Sequence, residues 1–164
     1  MSIVVCNTTP VINFAETGFL HVLRGLFGQI VLPSAVVSEL RVKEVRFPSV
    51  SAALQDSLFK QRQPDSSASG PAFLPNVIHP GEAECIRLGI QNPGALLILD
   101  DVEAREWALA NGLNVIGTLG CLLVAKDKGL VAAIGPLLDE LQAKARFWIA
   151  APLRSHVLKR AGEL

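Results

Sequence analysis

Four branched apolar residues running straight into two adjacent carboxylates, Leu96-Leu97-Ile98-Leu99-Asp100-Asp101, constrain this chain more than any other stretch. A short apolar run bounded by turn residues, here Asn92-Pro93-Gly94, predicts a strand buried on both faces. Asp100 and Asp101 then stand where that strand ends and a helix begins. In open parallel sheets this carboxyl edge is where ligands bind. Adjacent carboxylates repel one another and are costly to desolvate without a cation or proton. A divalent metal is one compensation, since hard cations take oxygen ligands. The structural alternative is that Asp101 caps the helix while Asp100 is solvated. The pair alone leaves both open.

The remaining pattern alternates strands with helices. Ser2–Cys6, Gln29–Leu32, Leu96–Leu99 and Leu113–Ile116 read as strands, and Phe73–Ile78 as a further short one. Helices are expected after Thr9-Pro10, over Phe19–Phe27, after Pro33-Ser34, within Ser51–Lys60, and from Pro80 to about Asn92. More follow over Val102–Asn111, through Lys128, along Leu130–Phe147 and over Leu153–Arg160. Alternation of this kind predicts a three-layer α/β/α fold around a parallel sheet of four or five strands. With 164 residues the chain is expected to form one domain over 1–164, with a flexible loop at about 61–75 where Pro, Ser and Gly concentrate.

Composition narrows the function classes. Lys+Arg and Asp+Glu both number 15, which excludes a broadly basic nucleic-acid coat but not a local patch. Cys6, Cys85 and Cys121 are odd in number and embedded in apolar runs, as expected of reduced, buried thiols in a cytoplasmic protein. The first residues lack the positively charged start and long apolar core expected of a signal peptide, and no apolar run approaches the ~20 residues of a membrane span.

Polar residues follow each strand at one sheet edge: Asn7-Thr8-Thr9, Asp100-Asp101 and Thr118. Glu39 lies one helical turn beyond Ala35-Val36, close enough to that edge to point inward. At ~100° per residue, Glu82 sits some ~70° from the apolar stripe of its helix and Glu84 some ~130°. Glu82 is thus the candidate for a semi-buried acid and Glu84 is expected on the solvated face. There is no glycine-rich phosphate loop, no nucleophile elbow, and no ligand spacing among His21, His79 and His156. An acid cluster at the sheet edge suits oxygen-ligated Mg²⁺ or Mn²⁺, which activates water and offsets charge developing on phosphate. Arg41, Lys43, Arg46, Lys60, Arg62, Arg105 and Lys126 are candidate phosphate contacts.

These residues carry a resemblance. Val4-Val5-Cys6-Asn7-Thr8-Thr9-Pro10 resembles the opening of a PIN domain, with Asn7 at a position where the family carries an acid. Leu32-Pro33-Ser34-Ala35-Val36-Val37-Ser38-Glu39, Gly81-Glu82-Ala83-Glu84, Leu97-Ile98-Leu99-Asp100-Asp101 and Val115-Ile116-Gly117-Thr118 resemble its later motifs, in order. The pattern is similar to VapC-like toxins of prokaryotic toxin–antitoxin pairs. The resemblance implies a metal-dependent ribonuclease. Asn7, Glu39, Glu82, Asp100 and Asp101 would be catalytic, the four acids would hold Mg²⁺ or Mn²⁺, and Thr9 and Thr118 would bind substrate. It implies RNA as substrate, an antitoxin partner, and a homodimer through Phe14, Phe19, Leu23 and Leu26. Asn7 motivates an alternative: a weakened PIN protein that acts by binding RNA or a protein. A nucleotide-binding or receiver-like protein would share the sheet and the paired acids, but a phosphate loop is absent.

Overall fold

The computed structural model describes residues 2–66 and 74–164. Its five strands are β1 (Val4–Cys6), β2 (Ile30–Pro33), β3 (Phe59–Arg62), β4 (Leu96–Ile98) and β5 (Asn114–Ile116). They form one all-parallel sheet in the order β3-β2-β1-β4-β5. Val5 at the centre lies opposite Val31 on one side and Leu97 on the other. Its neighbours leave it no exposure, and Ile98 and Leu99 are equally enclosed. That is why these strands are apolar runs without alternation.

Parallel pairing forces a crossover between each pair of strands, and helices supply it. They are α1 (Thr8–Glu16), α2 (Leu20–Phe27), α3 (Ser34–Lys43), α4 (Ser49–Gln55), α5 (Pro80–Gln91), α6 (Val102–Ala110), α7 (Thr118–Asp127), α8 (Gly135–Lys144) and α9 (Ala151–Arg160). Together with the sheet they make the expected three-layer α/β/α arrangement. α5 packs on β1, β2, β4 and α3, while α1 packs on α2, α3, α4 and α8. The approach of α5 to β4 is close at Gly89, where a Cβ would come within 3.1–3.2 Å of the Leu97 methyls. The chain runs β1 to β3 toward one edge, then returns to place β4 on the other side of β1. The direction of winding therefore reverses between β1 and β4, and the crevice at their carboxyl ends is where such sheets take ligands.

Several expectations need correcting. The fifth strand is Phe59–Arg62, inside the segments read as helix and loop, because it pairs along β2 at the sheet edge. Only Phe59 in it is buried, so its sequence lacks a buried-strand signature. Residues 74–78 form no strand. Of the loop expected at 61–75, residues 67–73 lie outside the described residues. The helix expected from Leu130 begins at Gly135, with Pro136 in its first turn. Phe14 and Leu23, expected on a dimer face, are core residues with 1% and 0% exposure. Phe19 and Leu26 are half-buried against that core.

One charged clamp closes the α7–α9 side. Glu163 accepts from Lys126 Nζ at 2.6 Å and from the backbone N–H groups of Ile134 and Gly135, at the start of α8, at 2.6 and 2.8 Å. Lys126 is thereby committed and is not available to RNA phosphates. The Lys126 ammonium, followed by the two N–H donors, holds the Glu163 carboxyl down to about 2. A depressed folded pKa stabilises the fold above the unfolded value and loses that effect as pH falls from about 4.5 toward 2. Glu163→Gln is expected to cost about 1–2 kcal/mol at pH 7. In thermal melts, the gap from the parent protein should close as pH approaches 2.

Candidate functional site

The acids collect at the carboxyl edge because helices start there. Asn7 follows β1 and donates its backbone N–H to Ile98 O at 3.1 Å, which locks the β1 and β4 ends together. Glu39, on α3, reaches across to the start of α5, where one carboxylate oxygen accepts the Gly81 N–H at 2.9 Å. Its other oxygen accepts the Thr8 hydroxyl. A Cβ on residue 81 would lie 2.6 and 2.8 Å from the two Glu39 oxygens, so glycine at that position is what admits the carboxylate. Glu82 is 8% exposed. It accepts the His79 N–H at 2.9 Å, half of a capping box, and the Asn7 side-chain amide at 3.3 Å.

Asn7, Thr8, Thr9, Glu39 and Glu82 thus line one cleft of about 350 Å³, with Lys43 and His79 at its margin. Asn7 is 4% exposed, and its carbonyl oxygen is the one buried side-chain polar atom without a hydrogen-bond partner among the described residues. An orphaned buried acceptor is costly, of order 1–3 kcal/mol, unless something occupies it.

Asp100 and Thr118 meet at the neighbouring strand ends. Asp100 accepts the Thr118 N–H at 2.7 Å, the Thr118 hydroxyl at 2.6 Å and the Asn13 amide at 3.4 Å. Asn13 also donates to the Thr118 hydroxyl at 3.1 Å. Asp100 is therefore not the solvated residue of the structural alternative; it ties β4, α7 and α1 together. Asp101 does cap α6, with one oxygen accepting the Ala104 N–H at 2.9 Å. Glu84, expected on the solvated face, instead accepts the Ala35 N–H at 2.7 Å at the start of α3. Thr8 reads from sequence as a polar residue at the sheet edge but not as the partner of Glu39, Gly81 reads only as part of a motif, and Asn13 is not singled out. Asn13 carried a usable signal, as a polar residue inside the apolar stretch Val11-Ile12-Asn13-Phe14-Ala15.

Charge is held at this edge against its preference. Burial pushes the Glu82 carboxyl above its ordinary range, partly offset by the His79 N–H, with the Asp101 charge raising it further. Burial likewise raises Asp100, against the bonds from Thr118 and the nearby Arg105 guanidinium. Cys6, Cys85 and Cys121 are unpaired and buried, and burial raises all three thiols.

Among the described residues, no three His, Cys, Asp or Glu side chains converge as a ready metal site. The cleft does offer two carboxylates and the orphaned Asn7 oxygen. This all-oxygen donor set fits a hard divalent cation.

Glu82→Gln tests the strain. Glutamine keeps an acceptor for the His79 N–H, and its amide can donate to Asn7 Oδ1 once the Asn7 amide turns over. A raised folded pKa means stability is lost as pH rises from the unfolded to the folded value. Glu82→Gln should therefore raise Tm by a few degrees at pH 7. The gap should vanish in melts below the ordinary carboxylate range, where Glu82 is itself protonated.

Comparison with known proteins adds one finding. No curated protein and no solved structure matches this chain. A family model does: DUF3368, described as a PIN domain, matches residues 3–163. PIN domains have nuclease-type functions and generally use divalent metals. With the all-parallel sheet and the motifs in order along it, the chain belongs to the PIN-domain family.

Proposed function

We propose that this chain is a metal-dependent ribonuclease of the PIN type, acting in the cytoplasm as the toxin of a toxin–antitoxin pair. One observation carries the reading. Asn7, whose buried carbonyl oxygen has no hydrogen-bond partner among the described residues, lines the same cleft as Glu39 and Glu82. A hard cation is one partner that such an oxygen takes in company with two carboxylates. Glu39, Glu82 and Asn7 would hold Mg²⁺ or Mn²⁺, with Asp101 offering its uncapped oxygen and Asp100 contributing from the adjoining strand end. The metal, when bound, supplies an acidified water and offsets charge on the scissile phosphate.

The chain's own residues perform the remaining work. Gly81 N–H and the Thr8 hydroxyl hold Glu39 in one orientation, and His79 N–H holds Glu82. Thr118 and Asn13 fix Asp100. Such preorganisation removes the cost of ordering the carboxylates at the moment of reaction. Exposed Thr9 and the rim Lys43 offer donors to the RNA backbone. Thr118 is fully buried and acts through Asp100, as a positioning residue.

A second reading rests on the Asn7 amide. Its N–H already donates to Glu82, so this carboxylate is partly satisfied without any cation. Asparagine also brings one negative charge fewer than aspartate. A PIN protein weakened in this way would act by binding RNA or a protein partner, an antitoxin or a second copy of itself.

Cleavage of a single-stranded RNA with Mn²⁺ or with EDTA separates the readings. The expected result is metal-dependent cleavage, lost by ~100-fold or more in Glu39→Gln and raised ~10-fold in Asn7→Asp at limiting metal. Cleavage that survives EDTA contradicts the ribonuclease proposal; activity only in Asn7→Asp establishes the weakened form. Gly81→Ala should displace Glu39 and reduce cleavage ~10-fold or more with little change in Tm, since alanine favours a helix.

A further inference from the structure

A second depression of about 200 Å³ adjoins the acid cleft, and its rim is basic. It shares Thr9 and Lys43 with the cleft, so the two form one continuous surface. Arg46, beyond the end of α3, and Arg146, beyond the end of α8, complete the rim over Phe47 and Phe147. Two distant stretches of sequence thus deliver three cations to one place. Among the described residues none of the three forms an ion pair; the pairs lie elsewhere, at Arg24–Asp56, Lys126–Glu163, Lys144–Glu140 and Arg154–Asp139. Arg46 lies instead over the Phe47 ring, 5.4 Å from its centre. Three like charges without an ion-pair partner repel one another, and an anion seated among them relieves that repulsion.

The backbone supplies a second, independent sign. Arg146 has φ 55°, the one non-glycine residue in the left-handed region among the described residues. It stands just past α8 at a left-handed position, which usually selects glycine, and the Phe147 N–H after it closes back on Leu141 O at 3.1 Å. The chain follows that preference after other helices, with Gly18, Gly28, Gly112, Gly129 and Gly162. At α8 alone it keeps an arginine in an unfavourable conformation, and the side chain so placed is exposed on the rim of the basic depression. Strain retained at a charged, accessible position points to a ligand. Two residues further on, Trp148 is 80% exposed, and aromatic rings interleaved with cations are how single strands are gripped without base pairing.

We propose that Lys43, Arg46 and Arg146 form a phosphate seat for single-stranded RNA, flanking the bond presented to the acid cleft. The strand passes from the seat to the cleft over Thr9 and Lys43, and Trp148 offers a face on which an unpaired base stacks. This rests on the ribonuclease reading of the cleft for the identity of the strand; the seat itself needs neither metal nor cleavage.

Binding of a fluorescein-labelled single-stranded RNA, followed by anisotropy in EDTA over a range of salt, tests it. Arg146→Gly should weaken binding by roughly 3–10-fold and lower the slope of log Kd on log salt by about 0.7, one phosphate contact on a single strand. Its Tm should hold or rise, because glycine relieves the backbone, so the lost affinity is not lost folding. Arg87→Gln, exposed on α5 outside the depression, should bind as the parent does. The seat is overturned if the parent protein binds no RNA, or if Arg146→Gly keeps parental affinity and slope. A poly-glutamate peptide that displaces RNA at equal charge concentration would assign the seat to an acidic protein and also overturn it. Arg146-dependent binding without metal-dependent cleavage would retain the seat and remove the ribonuclease reading. Cleavage with Arg146-independent binding would do the reverse.

Discussion

Negative charge brought together at one sheet edge, and the helix starts that neutralise it, are what this structure is built around. Glu84 accepts an N–H at the start of α3, Glu39 one at the start of α5, Asp101 one at the start of α6 and Asp100 one at the start of α7. Each helix N-terminus carries unsatisfied donors and a partial positive charge. Each carboxylate satisfies one and is in turn made tolerable by it. The acids are therefore ties of the fold before they are anything else, since they join α3 to α5, and β4 to α6 and α7. The same ties fix their orientation, which a reactive site requires.

Asn7 is where that balance is incomplete. It lies at the end of the central strand, beside the crevice where the winding direction reverses. Every nearby carboxylate oxygen described above except the second oxygens of Asp101 and Glu84 has a donor, while the amide oxygen of Asn7 has none. An aspartate at this position would face Glu82 with no proton to share and would demand a cation. Asparagine lowers that demand by bonding Glu82, yet leaves its own oxygen open. On the proposed reading, the cleft holds together without a cation and would receive one with a weaker hold than a full set of carboxylates would give.

Much of this could be read from the sequence, for physical reasons. Strands buried on both faces are apolar runs, so β1, β2, β4 and β5 stood out, and Pro10 and Pro80 marked the first turns of α1 and α5. β3 did not, because an edge strand exposing Lys60, Gln61 and Arg62 carries no apolar pattern. Asn7, Glu39 and Glu82 were legible as candidates, and they line one cleft. Their partners were not: Thr8 to Glu39, Asn13 to Asp100 and Ala35 to Glu84 are contacts between residues 31, 87 and 49 positions apart. Helical angle alone misplaced Glu84, since it describes one helix and Glu84 is held by a neighbouring one. The apolar residues of α1 and α2 suggested a dimer face, whereas Phe14 and Leu23 are consumed by the core.

The most direct measurement is a crystal of this protein soaked in Mn²⁺ and examined by anomalous difference density. A peak is expected within the cleft, adjoining Asn7 Oδ1 and the Glu82 and Glu39 carboxylates. Density only at solvent-facing acids such as Glu103 and Glu106, with the cleft empty and the Asn7 amide still bonded to Glu82, would contradict it.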